Sequence, residues 1–373
     1  MVKGGHDFFT LLIEMTGKAS HSIHLQFYIF EHDDTGIAVG NALKEAALRG
    51  VMVFLHVDAY ASNKLPKQFI HELEEAGIHF KRFQPLLKSR HFYFGRRMHH
   101  KVFVVDGLYS LVGGVNISDR YNDTADEPAW LDMALYCEGE ASVILHRICR
   151  AMWRRDLPAD NVPADTVEEF CKKISGEEAF AVRVSRNDWV KRRIEIFRNY
   201  LYMLRHAEKE VLIMCSYFLP GYMLRRYISR AVKRGVKIRV ILAGKSDIAV
   251  AKNAERFLYD WLFRRKIVIY EYQKTVLHAK VAVYDQCWAT IGSFNVNNIS
   301  AYASLELNMD VKDERLANAL KEQLETIVSR NCKEITKEGY RSSTNIFRKL
   351  WQRLCYGFVN VMLRIFTFYF RQE

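Results

Sequence analysis

His99-His100-Lys101-Val102-Phe103-Val104-Val105-Asp106, followed after six residues by Gly113-Gly114-Val115-Asn116, recurs in the second half of the chain. There it reads His278-Ala279-Lys280-Val281-Ala282-Val283-Tyr284-Asp285, then Gly292-Ser293-Phe294-Asn295. In an extended strand residues i and i+2 share a face, so each histidine points the same way as its lysine. Val102 and Val104, or Val281 and Val283, build the apolar body of the strand. A lone His-x-Lys reads as a solvated strand edge. Two copies agreeing in His, Lys, Asp, Gly and Asn point to one shared phosphate site.

The residue types suit chemistry on a phosphate diester. A neutral imidazole can attack phosphorus and hold it covalently. A second, protonated, can give the leaving alkoxide its proton and later take one from the incoming hydroxyl. Lys101 and Lys280 supply fixed positive charge to the non-bridging oxygens, and the amides of Asn116 and Asn295 add donors. None of these roles needs a metal or other cofactor. A nucleophilic imidazole needs an acceptor on its second ring nitrogen. Gly113 and Gly292, with Gly114 and Ser293, fit a tight turn where backbone approaches the phosphate. His100 faces the other side of its strand and is expected to stand outside the chemistry.

Around the motifs the chain repeats a plan. Helical periodicity over 8–19 leads to an apolar strand at 23–30. A helix over 36–49 feeds a strand at 51–58, and a helix over 67–76 precedes a strand at 78–83. Such alternation predicts an α/β fold with a largely parallel or mixed sheet. In the second half, 200–207 and 211–218 answer the first helix and strand, and Arg234-Gly235-Val236 answers Arg49-Gly50-Val51. Internal duplication therefore predicts two pseudo-symmetric lobes, each a mixed sheet flanked by helices, at 1–157 and 175–335, with a linker at 158–174. Neither lobe should be active alone.

Within 373 residues, 49% hydrophobic and 26% charged side chains read as globular. A balance of 55 Lys+Arg to 43 Asp+Glu favours anionic partners, nucleic acid or acidic lipid. The seven cysteines form no Cys-x-x-Cys or Cys/His ligand spacing and are expected to be reduced thiols. Neither a secretory signal nor an apolar run of spanning length is visible.

The duplicated His-Lys-Asp motif resembles that of the phospholipase D superfamily, and within it the chain looks most like the bacterial cardiolipin synthases. The stretch from Gly113 to Tyr121, followed by Trp130-Leu131-Asp132, carries the second likeness, which spans about residues 5 to 330. The resemblance implies a catalytic set of His99, Lys101, Asp106, His278, Lys280 and Asp285, with the two aspartates in ion-pair or turn-stabilising roles. It also implies a phosphate-binding set of Asn116, Asn295, Gly114 and Ser293, although Gly114 stands where the family commonly has Ser, and orienting carboxylates at Glu306, in Leu305-Glu306-Leu307, and Asp132, in Trp130-Leu131-Asp132-Met133, with Glu127 a weaker alternative to Asp132. His99 becomes the nucleophile and His278 the acid/base, with the reverse left open by the symmetry. The implied reaction joins two phosphatidylglycerol molecules into cardiolipin and glycerol. Hydrolysis to phosphatidic acid and a phosphodiester nuclease are the alternatives.

Two basic segments bear on the substrate. From Ala76 to Val105 there are seven Lys/Arg and no acid, interleaved with the aromatics of Arg90-His91-Phe92-Tyr93-Phe94-Gly95-Arg96-Arg97, a composition that suits lipid headgroups or single-stranded bases. Over 340–373, apolar residues at Phe347, Leu350, Trp351, Leu354, Phe358, Val361, Met362, Ile365, Phe366 and Tyr369 fall at helical spacing, with six Lys/Arg from Arg341 onward against one acid. That is the pattern of an amphipathic helix on an anionic membrane surface; a helix packed on the lobes is the competing reading. The expectation is a peripheral protein on the cytoplasmic face of the cell membrane, acting on phosphatidylglycerol, with nucleic acid disfavoured. The family's two-transmembrane-helix form is not matched at the amino terminus.

Overall fold

A computed structural model describes residues 1–84, 96–125, 127–153 and 179–366. The expected linker at 158–174, the aromatic run Arg90 to Gly95, Cys171 and Tyr369 lie outside these residues.

The first lobe is a seven-stranded sheet. Its strands are β1 (Val2–Lys3), β2 (Ser22–Phe27), β3 (Met52–Asp58), β4 (His79–Phe83), β5 (Lys101–Val105), β6 (Tyr109–Gly113) and β7 (Met133–Glu138), in the order β1-β7-β6-β5-β2-β3-β4. The second sheet has nine: β8 (Ala181–Asp188), β9 (Arg193–Ile194), β10 (Glu210–Cys215), β11 (Lys237–Lys245), β12 (Val268–Val276), β13 (Val281–Tyr284), β14 (Trp288–Gly292), β15 (Glu306–Lys312) and β16 (Cys332–Ile335). Its order, β16-β12-β11-β10-β13-β14-β15-β8-β9, contains the same six-strand core as the first, element for element. In both, three parallel strands (β2-β3-β4, β10-β11-β12) are followed across the sheet by three antiparallel ones (β5-β6-β7, β13-β14-β15).

Local chemistry repeats as well. Helices α1 (His6–Lys18) and α2 (Asp34–Leu48) flank β2, and α3 (Lys67–Glu75) precedes β4. In the Arg-Gly-Val junctions Gly50 and Gly235 sit at φ +91° and +97°, the left-handed region that closes a helix at low cost only for glycine. The Arg49 guanidinium donates to the carbonyls of Thr16 and Gly17, and Arg234 donates to those of Leu204 and Ala207. Each arginine thereby satisfies carbonyls at or just past the end of the lobe's earlier helix.

Three cores follow from the strand periodicity. Ile23, Leu25, Phe27 and Phe103 face outward in their lobe against α1 and α2. Ile213, Val240 and Ala282 do the same in the second, with α5 (Glu195–His206) and α6 (Tyr222–Lys233). The opposite faces, with Val102, Val104 and Met133 from one sheet and Val281, Val283 and Met309 from the other, meet in one continuous core. Leu145 of α4 (Glu140–Trp153) and Leu320 of α10 (Glu314–Asn331) complete it. Burying these two apolar sheet faces on one another fixes the lobes as a single body.

Four further helices complete the second half: α7 (Ala249–Phe257), α8 (Tyr259–Arg264), α9 (Asn298–Tyr302) and α11 (Lys337–Ser343). The last helix, α12, runs over Ile346–Phe366. Cys355 packs with Ala254, Leu258 and Leu219, Tyr356 stacks near Phe257 at 4.8 Å, and Gln352 accepts from the Tyr340 hydroxyl at 2.8 Å. The opposite row, Phe347, Leu350, Trp351, Leu354, Phe358, Val361 and Ile365, is each more than half exposed. The periodic stripe thus divides: one face packs on α7, one meets solvent, and Met362 turns inward. Among the described residues no helix is long and apolar enough to cross a membrane.

Candidate active site

The strand carrying each motif begins at the residue after its lysine or at the lysine itself, so the histidines stand just ahead of β5 and β13. Lys101 pairs with Phe27, the last residue of β2, which sets His99 beside the carboxyl ends of the parallel strands. That edge is where α/β sheets present their ligand sites.

Main-chain bonds join each motif to the other lobe. Met98 bridges Leu305, with His99 N–H donating to the Leu305 carbonyl at 2.9 Å and Leu305 N–H to Arg97 at 2.8 Å. Leu277 bridges Leu131, with His278 N–H donating to the Leu131 carbonyl at 2.8 Å and Leu131 N–H to Val276 at 2.8 Å. The residues that follow these leucines are the two carboxylates. Glu306 therefore meets the histidine of the first lobe, His99 Nδ1 to Oε2 at 2.8 Å, and Asp132 that of the second, His278 Nδ1 to Oδ2 at 2.6 Å. Each imidazole is oriented by a carboxylate of the opposite lobe. Occupying Nδ1 leaves Nε2 for chemistry.

Glu306, His278 and Asp132 are buried, and His99 is half-buried. Burial, with Lys101 and Lys280 beside it, holds His99 below the usual histidine range against the opposing pull of Glu306. Burial, with Lys280 and then Lys101, pushes His278 down to about 4 against Asp132. Each histidine thus feels the lysines of both lobes. Burial lowers Lys101 well below the usual lysine range, helped by the facing Lys280, and burial lowers Lys280 too. Lys101 Nζ donates to the His99 carbonyl at 2.9 Å, and Lys280 to that of His278.

The asparagines point the same end inward. Asn116 Oδ1 accepts from Ile29 N–H at 3.1 Å, and Asn295 Oδ1 takes the Cys215 thiol at 3.6 Å, so their Nδ2 ends are the donors left over. Two tyrosines not singled out by the motif reading frame the imidazoles. Tyr28 stands edge-on to His99 at 4.8 Å and beneath Lys101; Tyr121 stands edge-on to His278 at 5.0 Å, its hydroxyl 3.4 Å from Nε2. Tyr28 follows the end of β2, so only the pairing of β2 with β5 identifies it.

Several expected contacts fall elsewhere. Asp106 accepts from the N–H groups of Ser20, His21 and Ser22 at 2.8–2.9 Å, and Asp285 from those of Glu208, Lys209 and Glu210 at 2.7–2.9 Å. Both lie at the far end of the motif strand, a full strand length from the histidines, and tie the turn to the start of the neighbouring strand. The buried Ser293 hydroxyl donates to Glu306 Oε2 at 2.5 Å and accepts from Leu307 N–H. At Gly114 a Cβ would lie 2.2 Å from Asp132 Oδ1, so this residue makes room for the carboxylate. At Gly113 and Gly292 a Cβ would strike the carbonyls of Met133 and Leu307, so these glycines permit close strand pairing. His100 lies inside the protein, with Nδ1 3.1 Å from Gln26 Oε1. Glu127 is exposed on a surface turn. Among the described residues no cluster of three His, Cys, Asp or Glu could hold a metal ion.

His99, Glu306, Asn295 and Tyr28 form one end of a cavity of about 560 Å³. Its remaining walls come mostly from apolar residues of the second lobe and from α12.

A family model described as "Cardiolipin synthase, PLD-like domain" matches residues 12–134 and 200–328. Cardiolipin synthase B of Salmonella typhimurium is 32% identical over 348 residues, covering 90% of this chain and 81% of that protein. Cardiolipin synthase B of Escherichia coli K12 is 30% identical over the same length and coverage. Among solved structures, the phosphatidylserine synthase of Haemophilus influenzae superposes with a TM-score of 0.74 at 13% identity, covering 98% of this chain and 93% of that one. Both matched family segments carry one copy of the motif.

Proposed function

The chain belongs to the cardiolipin synthase family of phospholipase D-like phosphatidyltransferases, and from that premise we propose that it makes cardiolipin and glycerol from two molecules of phosphatidylglycerol. The observation that carries this reading is the crossed pair of carboxylate-held imidazoles, His99–Glu306 and His278–Asp132.

His99 Nε2 attacks the phosphorus of the first lipid, and the bond from phosphorus to the glycerol headgroup oxygen breaks. His278, as imidazolium, protonates that oxygen and glycerol departs. The terminal hydroxyl of a second phosphatidylglycerol then attacks the phosphatidyl-histidine, giving its proton to His278 and releasing His99. Glu306 steadies the positive charge that develops on His99. Lys101, Lys280 and the amide nitrogens of Asn116 and Asn295 hold the non-bridging oxygens. Because burial, with the lysines beside it, depresses His278, the negative charge of the bound diester is what favours its protonated form. Because each catalytic pair spans both lobes, 1–157 and 175–335 act as one unit.

The reading places the enzyme on an anionic membrane surface, with the outer row of α12 in the interface and Arg348, Lys349 and Arg353 beside it. Changing Leu350, Leu354 and Phe358 together to Asp should remove most binding to phosphatidylglycerol vesicles in a sedimentation assay; unchanged sedimentation counts against docking through this face. For the reaction, purified protein and phosphatidylglycerol should yield cardiolipin and glycerol in equal amounts by mass spectrometry. Phosphatidic acid as the sole lipid product would instead make the enzyme a hydrolase. Cleavage of DNA with no lipid product would remove the proposal.

A further inference from the structure

The cavity at His99 is asymmetric in a molecule whose catalytic groups are otherwise paired. Its lining combines Tyr28, His99, Asn295 and Glu306, with further polar groups such as Arg97 and Ser304, and a larger apolar area to which Leu219, Ile248, Ile299, Phe358, Val359 and Met362 contribute. The last three belong to α12, which lies outside both matched family segments and follows the second lobe. The same helix presents an unbroken apolar row to solvent, and Phe358 belongs to both surfaces: it lines the cavity and is 59% exposed.

We propose that α12 forms the wall of an acyl-chain site, holding a hydrocarbon chain of the lipid whose phosphatidyl group is transferred to His99. The inference rests on the lipid reading given above and deepens it. Apolar walls gain nothing from a glycerol headgroup, whose hydroxyls would be left unpaired there, whereas each methylene placed against them leaves water. A volume of about 560 Å³ lies in the range of small-ligand cavities. The chemistry places the chain on the correct side. In an in-line displacement the departing glycerol leaves toward His278, and the phosphatidyl group stays on His99, the histidine that borders this cavity. The exposed row of α12 would then meet the bilayer next to the cavity mouth, and a chain reaches its site along Phe358 without crossing open water.

Met362 tests the wall. Turnover of dioctanoyl and dioleoyl phosphatidylglycerol in mixed detergent micelles is measured as kcat/KM for the wild type, Met362→Trp and Met362→Ala, so that membrane docking does not enter. Trp narrows the cavity and should lower the dioleoyl-to-dioctanoyl ratio at least about tenfold; Ala widens it and should leave the ratio equal or raised. A ratio unchanged in both variants overturns the acyl-chain site while leaving the lipid reaction standing. If the wild type cleaves bis(p-nitrophenyl) phosphate but neither lipid, the underlying lipid reading fails instead. Should Met362→Trp fail to fold, a lowered ratio in Met362→Ala still overturns the proposal and a raised one supports it.

Discussion

The His278→Ala variant, mixed with a phosphatidyl diester whose leaving group is p-nitrophenolate, is expected to release about one equivalent of nitrophenolate per site and then stall. The His99→Ala variant should release none. A nitrophenolate departs without a proton, so the first step loses its need for an acid and requires only the nucleophile. The second step still requires a base to activate the incoming hydroxyl, and losing it costs about 10²–10⁴-fold. The covalent adduct should accumulate on His99 and appear as a mass increase equal to the phosphatidyl group. With phosphatidylglycerol itself both variants should fall by at least about 10⁴-fold, since both imidazoles are then required. A burst in His99→Ala and none in His278→Ala would exchange the two roles. Absence of adduct in both would remove the covalent route. The assignment has a structural motive beyond family likeness, because His99 and not its partner opens on the apolar cavity where the retained group can lie.

Much of this architecture is readable from residue order alone, because apolar alternation and glycine junctions are local signals. The strand expected at 51–58 is Met52–Asp58, the helix at 67–76 is Lys67–Glu75, and the strand at 78–83 is His79–Phe83. The strand expected at 23–30 ends earlier, at Phe27, because Tyr28 and the residues after it leave the ladder to meet Ser62 and Ile117. What a linear pattern does not contain is the exchange of carboxylates between lobes. Glu306 follows His278 in sequence as Asp132 follows His99, so proximity suggests pairing within each lobe. The bridges Met98–Leu305 and Leu131–Leu277 reverse that choice, and they exist only once the two apolar sheet faces have closed on each other. Ser293 was equally hard to place, since a hydroxyl beside a phosphate motif and one that braces a carboxylate look alike until partners are known. The terminal helix satisfies both readings of its stripe, because Cys355 and Gln352 pack inward while Phe347 to Ile365 stay bare.

Acidification is expected to unfold this protein well above the pH at which carboxylates titrate. Burial, aided by Lys81, pushes His56 down to about 3. Burial, aided by Lys101, does the same to His100, and burial lowers His146 to about 4 with help from Arg150 and Arg147. His278, at about 4, is the fourth. Neither ring nitrogen of His56 has a hydrogen-bond partner among the described residues, and its ring lies between Phe83 and Trp153, where a charged imidazole is poorly accommodated. In the unfolded chain each returns to about 6.5. The folded value is the lower one, so between these limits the unfolded state binds more protons. The stabilisation is therefore whole above about pH 6.5 and is lost as pH falls toward 4. Each group contributes about 1.4 kcal/mol per pH unit inside that window, so the four together lose about 5 kcal/mol between pH 7.5 and pH 5.5. That is comparable to the entire stability of an ordinary domain. Urea unfolding followed by tryptophan fluorescence should show a midpoint at pH 5.5 far below that at pH 7.5. His56→Leu, which removes one titrating group in place, should reduce the pH slope by about a quarter. Equal midpoints at the two pH values would mean that these histidines keep an ordinary proton affinity in the folded protein, and the argument that His278 needs the bound diester to become charged would fall with them.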